Sequence, residues 1–493
     1  MTASVPTIGA QLRAVAERQH DAVAITCGEQ TITWGDLERS SNRLAREYQR
    51  RGVEAGSYVS IALPNSIEMV VAMLATWKAG AVPQPLSTRL PESEFQELLR
   101  LVPRALLVGR EDPEGKVPAL PPGFVPDAGV SDGPLPELVS PVWKAMPSGG
   151  STGRPKLIEA TVDSRLDPDA LGDLLGMTTC DSQLLASPLT HNTPFAAATM
   201  AILLGQHLVL MPRFDAREYL RLIDRHHVQY LSTVPTIMQR CLAVYREDPD
   251  AYDLSSIRRM WHMAAPCPDA VKRAWIDILG PDVVCELYGG TELQAMTLLD
   301  GNEWLAHPGS VGRVRIGQIR ILDENGAECP SGQVGEIYMR PAEGDGPSYR
   351  YIGSVASARD GWETIGDLGW FDDDGYLYLS DRRVDMFQVG GRNVYPAEVE
   401  NALGEHPDVL SCLVVGVPDD DLGQVPYALV QVSEGSAVDA DQLRAHLSER
   451  IAGYKLPRVL EFRDVPLRDD AGKARRSAVR AEIVAKMRVH GAN

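Results

Sequence analysis

No apolar run in this sequence is long enough to cross a bilayer: the longest, Met69 to Pro85, is broken by Lys78, Gly80 and Pro83. Met1 to Glu17 lacks the basic start and apolar core of a secretory leader. The seven cysteines (Cys27, Cys180, Cys241, Cys267, Cys285, Cys329 and Cys412) are odd in number, scattered and never spaced as Cys-x-x-Cys, so a reduced, cytoplasmic setting is expected for a soluble protein. Cations are in deficit. The 48 Lys and Arg against 67 Asp and Glu leave a net charge of -19, which argues against bulk affinity for nucleic acid or an anionic membrane. An anionic substrate would therefore need a local cationic pocket. A Walker loop is missing too, because counting on from Gly149 places Arg154 where the second glycine must stand. What remains is an ordinary globular composition, 44% hydrophobic and 23% charged, over 493 residues, enough for at least two domains.

Periodicity supplies the architecture. Val23 to Thr33 alternates around Gly28-Glu29-Gln30 like a hairpin, and Asp36 to Arg51 repeats its apolar residues at helical spacing. Strand Tyr58 to Leu63, helix Ser66 to Ala79 and strand Ala81 to Pro85 form a βαβ unit; Ser182 to Pro188, Phe195 to Leu204 and His207 to Met211 form a second. Further strands are expected at Tyr230 to Val234 and Val283 to Leu287, with a helix at Pro268 to Ile278. The fold class is α/β: helix-covered, mainly parallel sheets. From Ser310 to Arg350, short strands between Gly, Asp and Asn turns predict a small antiparallel layer. A compact α+β pattern then follows, with helices at Pro396 to Leu403 and Ala440 to Ala452 and strands at Leu410 to Val417 and Tyr427 to Val432. The expected domains are 1–381 and 382–493.

Several short motifs carry possible chemistry. Pro147 to Lys156 packs Ser148, Gly149, Gly150, Ser151, Thr152 and Gly153 with Arg154 and Lys156, a composition suited to gripping phosphate through inward-turned amides, hydroxyls and charge. Taken alone it reads equally as a Gly/Ser-rich linker. Tyr288-Gly289-Gly290-Thr291-Glu292 follows a hydrophobic strand, so Glu292 would emerge at the carboxyl edge of the sheet, where one carboxylate beside a hydroxyl suffices for Mg²⁺ held mainly by phosphates and water. Asp367, flanked by Gly366 and Gly369 in a tight turn, suits the two hydroxyls of a ribose; an ordinary Asx turn is the alternative. Lys473, on a Gly-containing loop near Arg475 and Arg476, could neutralise developing phosphate charge or simply belong to a solvated basic tail. His191 sits on a Pro-bounded loop after a strand, and His262 precedes Ala264-Ala265-Pro266, a small-residue turn with room for a flat ring.

In this order and over nearly the whole chain, from Ile32-Thr33-Trp34 to Lys473, the series resembles the adenylate-forming superfamily, in its acyl-CoA synthetase branch. The resemblance implies that an acid attacks the α-phosphate of ATP, that pyrophosphate leaves, and that a small mobile C-terminal domain then rotates so that a thiol, here coenzyme A, displaces AMP. It implies that Ser148 to Lys156 cradles the β- and γ-phosphates and that Glu292, with Thr152, holds Mg²⁺. Asp367 and Arg382 would bind the ribose, with Ala264, Ala265, Pro266, Tyr288 and Gly289 framing the adenine beside Gly290 and Thr291. Lys473, His191 and Glu292 are the implied catalytic residues, and Val389 to Pro396 the segment that replaces Lys473 after rotation. Tyr395 to Glu400 and Gly453 to Pro457 look like free-standing synthetases, so a small-molecule acid rather than a carrier protein is the expected partner; Trp261 to Pro268 and Pro188 to Asn192 are similar to bile-acid and other bulky-acid CoA ligases.

The chain departs from the family pattern in three places. Leu157 replaces the usual glycine after the loop lysine, which implies altered loop mobility. Val384 stands where the hinge normally carries Asp or Lys, and Arg392 replaces a more usual Glu. A changed hinge leaves open a second reading: adenylation of an unusual acid such as nitrite, with an aromatic amine as acceptor.

Overall fold

The computed structural model describes residues 5–490 apart from 113–114, 150–154, 344–345, 383–384, 420, 434, 469–473 and 475. Gly150, Ser151, Thr152, Gly153, Val384 and Lys473 therefore lie outside the described residues. So does the side chain of Arg382, whose backbone is described.

Both βαβ units form as their periodicity predicts. Tyr58–Ile61 and Val82–Pro85 pair in parallel around helix Ile67–Lys78. That helix is apolar on nearly every side because it is buried: Met69, Val70, Met73, Leu74 and Trp77 all lie in the main core, and Ser66 caps its first turn by accepting from the Met69 amide at 3.0 Å. Among the described residues no helix is long and apolar enough to cross a membrane. Ser182–Leu185 and His207–Leu210 likewise pair in parallel around helix Asn192–Leu204.

The second unit belongs to a 15-stranded sheet whose parallel half runs through Ser182–Leu185, Tyr230–Thr233, Arg259–His262 and Val284–Gly289. Arg259–His262 is a strand that periodicity missed, since four residues ending in a turn motif carry too little pattern. The expected antiparallel strands are present at Gln318–Leu322 and Gly335–Arg340, but they do not form a separate layer. Hydrogen bonding continues through Met296–Asp300 and Ser310–Ile316 into the parallel half, so both share one edge-to-edge sheet. The last strand of the region, Tyr349–Ile352, leaves that sheet altogether. It pairs with Pro155–Ala160, which pairs in turn with Ala145–Gly149.

Leu377–Arg382 is the last strand of the large sheet; Phe387–Val389 already belongs to a five-stranded sheet with Arg392–Val394, Gly423–Val432, Val409–Asp419 and Val459–Phe462. Helices Pro396–Gly404 and Ala440–Ser448 cover one face through Val399, Leu403, Leu443 and Leu447, and Ile483 of helix Arg476–His490 covers the other.

Leu157 is not itself part of a loop. It lies on the strand Pro155–Ala160, wholly buried among Phe95, Leu98, Leu99 and Leu107, so it anchors the hairpin that carries the Gly/Ser/Thr run. Leu157→Ala is expected to destabilise the fold by about 2–5 kcal/mol through lost transfer energy and a cavity, read from the urea unfolding midpoint. Acid should destabilise it too. Burial, and then the nearby His226, lowers the His207 pKa to about 4, and burial holds fully enclosed His262 well below its ordinary value. Both bases fold neutral, so stability present above pH ~6.5, the unfolded value, declines as pH falls toward the folded value, by up to about 1.4 kcal/mol per pH unit for each histidine. Urea unfolding at pH 7 and pH 5 should show this decline, and His207→Gln should make it shallower.

Candidate active site

The carboxyl ends of Tyr230–Thr233, Arg259–His262 and Val284–Gly289 open on one edge of the sheet, and the chain strains its backbone there. Of the non-glycine residues described, four have positive φ, and two of them flank this edge: Ala264 at +74° and Leu293 at +53°. Ala264 is exposed at the mouth, as a surface on which a flat ring could lie requires. His262 is not part of that mouth. It ends its strand fully buried, in register with Thr233 and Glu286, with Glu286 Oε1 at 3.9 Å from Nδ1 and Lys272 bonded to the other Glu286 oxygen at 2.5 Å. The sheet register turns this histidine into the interior.

Asp367 is not in a tight turn either. Gly366, with φ +85°, makes the turn, and Asp367 begins the strand Asp367–Phe371, buried, with its Oδ2 accepting from the Tyr288 hydroxyl at 2.8 Å. Its cross-strand partner is Arg382. Three residues expected around a nucleoside, far apart in sequence, thus meet at one place.

Ser148 and Gly149 close one strand of the glycine-rich hairpin and Pro155 and Lys156 open the other, with Ser148 opposite Lys156 and Gly149 opposite Pro155. Residues 150–154, which carry most of the expected donors, lie outside the described residues. Lys156 rests its ammonium 3.5 Å from the ring centroid of Tyr351, and the Tyr351 hydroxyl donates to Glu292 Oε1 at 2.5 Å. Ser348 fixes the same segment by donating to the Glu292 carbonyl at 2.7 Å. Burial, and then the Glu292 charge, pushes the Tyr351 hydroxyl pKa well up, so it stays a donor. Thr291 and Gly290 sit half-buried beside Glu292, itself buried. A cation on a glycine-rich hairpin is thereby tied through one aromatic ring to a buried carboxylate at the sheet edge.

His191 and Asn192 stand at the start of helix Asn192–Leu204, where His191 is the N-cap residue and makes no side-chain cap bond. Asn192 Oδ1 accepts from Lys144, a buried lysine that motif reading overlooked. Burial lowers its pKa to about 7, with Glu292 pulling the other way. Its signal was available: one lysine inside Val142-Trp143-Lys144-Ala145-Met146, immediately before the glycine-rich run. Tyr351 was missed because nothing local links Tyr349–Ile352 to Pro155–Ala160.

The geometry matches a known family. The model described as AMP-binding enzyme matches residues 12–344, and that of the AMP-binding enzyme C-terminal domain matches residues 398–473. The chain belongs to the AMP-binding enzyme family. A feruloyl-CoA synthase of Amycolatopsis sp is 33% identical over 479 residues, covering 93% of this chain and 95% of the relative. A 2-succinylbenzoate–CoA ligase of Bacillus licheniformis is 30% identical over 480 residues, covering 94% and 98%. Among solved structures, the o-succinylbenzoate CoA synthetase of Bacillus subtilis in complex with its acyl-adenylate intermediate superposes with a TM-score of 0.81 at 27% identity, covering 95% of this chain and 97% of that one. The class expected from the motifs, an AMP-forming acid–thiol ligase of the acyl-CoA synthetase branch, is the class of these relatives.

The left-handed backbone at Ala264 costs roughly 1–2 kcal/mol, while glycine in its place gives back about 0.5–1 kcal/mol through unfolded-state entropy. Ala264→Gly should therefore raise stability by about 0–1.5 kcal/mol in urea unfolding. A clear loss would show that Ala264 is not strained.

Proposed function

We propose that this enzyme activates a small carboxylic acid with ATP and Mg²⁺ and transfers it to coenzyme A, releasing pyrophosphate and then AMP. The observation that carries the reading is the Lys156–Tyr351–Glu292 chain, which joins the glycine-rich hairpin to the sheet-edge carboxylate. In the first half-reaction a carboxylate oxygen of the acid forms a bond to the α-phosphorus and the bond to pyrophosphate breaks. In the second, the thiol sulfur bonds to the acyl carbon and AMP leaves with the electron pair.

Ser148 to Gly153 and Lys156 grip the β- and γ-phosphates. Tyr288 and Asp367, with Arg382, hold the ribose; Ala264, Ala265, Pro266 and Gly289 border the adenine. Among the described residues no group of three or more His, Cys, Asp or Glu could hold a metal, so a divalent ion must draw most of its ligands from phosphate and water. Glu292 fits that role, since its buried carboxylate is oriented by Tyr351 and lies next to Thr291. Thr152 is the second protein oxygen we assign to the ion. Mg²⁺ bound there would neutralise phosphate charge and orient the leaving group. His191 borders the acid, and Lys473 bridges its carboxylate to the α-phosphate, bringing together two anions that otherwise repel. We place the boundary between the large and small domains after residue 381, at the end of the last strand of the large sheet. All seven cysteines are free thiols, as a reducing cytoplasm would keep them.

Acid-dependent ATP–pyrophosphate exchange over a panel of acids, followed by mass-spectrometric detection of the acyl-CoA, checks the assignment. Lys473→Ala should lower the exchange rate by about 10²–10³-fold, the equivalent of roughly 3–4 kcal/mol. AMP formation without acyl-CoA for any acid would reject coenzyme A as acceptor and favour nitrite activation with an aromatic amine acceptor.

A further inference from the structure

Three lysines are buried in the large domain: Lys78, Lys144 and Lys272. Two are electrically matched, Lys78 by Glu38 and Lys272 by Glu286, each at 2.5 Å. Lys144 is not. Its ammonium has one hydrogen-bond acceptor among the described residues, the neutral Asn192 Oδ1, and otherwise lies 4.4 Å from the ring centroid of Trp143. An ammonium has three donors, so two are left over in a place 2% exposed to solvent. A buried cation with no directly bonded anion is costly, and the fold that gives its other two buried lysines a bonded carboxylate gives this one only the more distant Glu292.

The surroundings of Lys144 favour negative charge for a second reason. Asn192 opens a helix of 13 residues whose N-cap makes no side-chain bond and whose first turn holds no acidic residue. The partial positive charge of that helix end is therefore also unmatched. Lys144 bonds to the first residue of the helix, so the two positive elements converge on one spot, and His191, the expected acid neighbour, is the adjacent residue.

We infer that Lys144, together with Asn192 and the start of helix Asn192–Leu204, forms the subsite that holds the negatively charged oxygens of the acid before adenylation. The class of ligand is a carboxylate or a comparably small oxyanion. The anion that balances Lys144 arrives with the substrate, which makes Lys144 the acid-selecting residue and separates it from the ATP-binding set around Asp367 and Tyr288. This inference rests on the proposed acid activation.

Lys144→Met keeps the length and removes the charge. Exchange should be measured with whichever of acetate, benzoate, ferulate, 2-succinylbenzoate and nitrite the wild type turns over fastest, varying acid and ATP separately. The KM for acid should rise at least tenfold, the KM for ATP should stay within twofold, and Lys144→Arg should recover part of the loss. Stability gives a second readout: Lys144→Met should unfold in urea at or above the wild-type midpoint, whereas Lys272→Met, which strands Glu286, should unfold well below it. An unchanged acid KM in folded Lys144→Met overturns the subsite, and so does a destabilisation equal to that of Lys272→Met, which marks Lys144 as structural. A wild type that exchanges with none of these acids rejects acid activation itself, and the subsite with it.

Discussion

Alternation along one short strand couples the core of the large domain to its chemistry. Successive side chains of Pro155–Ala160 point to opposite faces, so Leu157 enters the core while Lys156 meets Tyr351 on the other side. Tyr351 lies on the adjacent strand and reaches Glu292, which follows the last parallel strand of the large sheet. Three sheet segments are thereby held in register around one aromatic ring. A hairpin rooted this way has less conformational entropy left to lose than a free linker would.

Several departures from local consistency lie along one edge of the large sheet. Buried Lys78 and Lys272 have carboxylate partners, and helices such as Ala216–His226 and Ala440–Ser448 carry side-chain caps. Ala264 and Leu293 are strained, helix Asn192–Leu204 is uncapped by a side chain, and Lys144 has no directly bonded carboxylate, all beside the carboxyl ends of the parallel strands. Departures from local consistency that cluster in this way mark a site shaped for a ligand rather than for stability alone.

Much of this was legible in the sequence, for definite reasons. Both βαβ units and the C-terminal α+β pattern carry long, clean periodicities, and the structure places them within a few residues of expectation. Short elements were harder. Arg259–His262 has four residues, and its neighbours decide that it is a strand. His262 was expected near the ligand because it leads into the Ala264-Ala265-Pro266 turn, but pairing with Thr233 and Glu286 turns it inward. Leu157 was expected to affect a loop, yet its strand places it in the core.

By itself the sequence determined the chemical inventory and the family: a glycine-rich run with cations, a strand-end Thr-Glu, a Gly-Asp pair and a lysine near the last residues, in one order. Those features are local, because glycine content, hydroxyls and apolar periodicity act over a few residues. Only the tertiary structure decided that Tyr288 meets Asp367 and Asp367 faces Arg382, that Tyr351 joins Lys156 to Glu292, and that Lys144 is buried with its hydrogen bond to Asn192. The separations involved run from 15 residues between Asp367 and Arg382 to 195 between Lys156 and Tyr351. Contacts across such distances depend on which strands pair and in what register, and no local pattern encodes that choice.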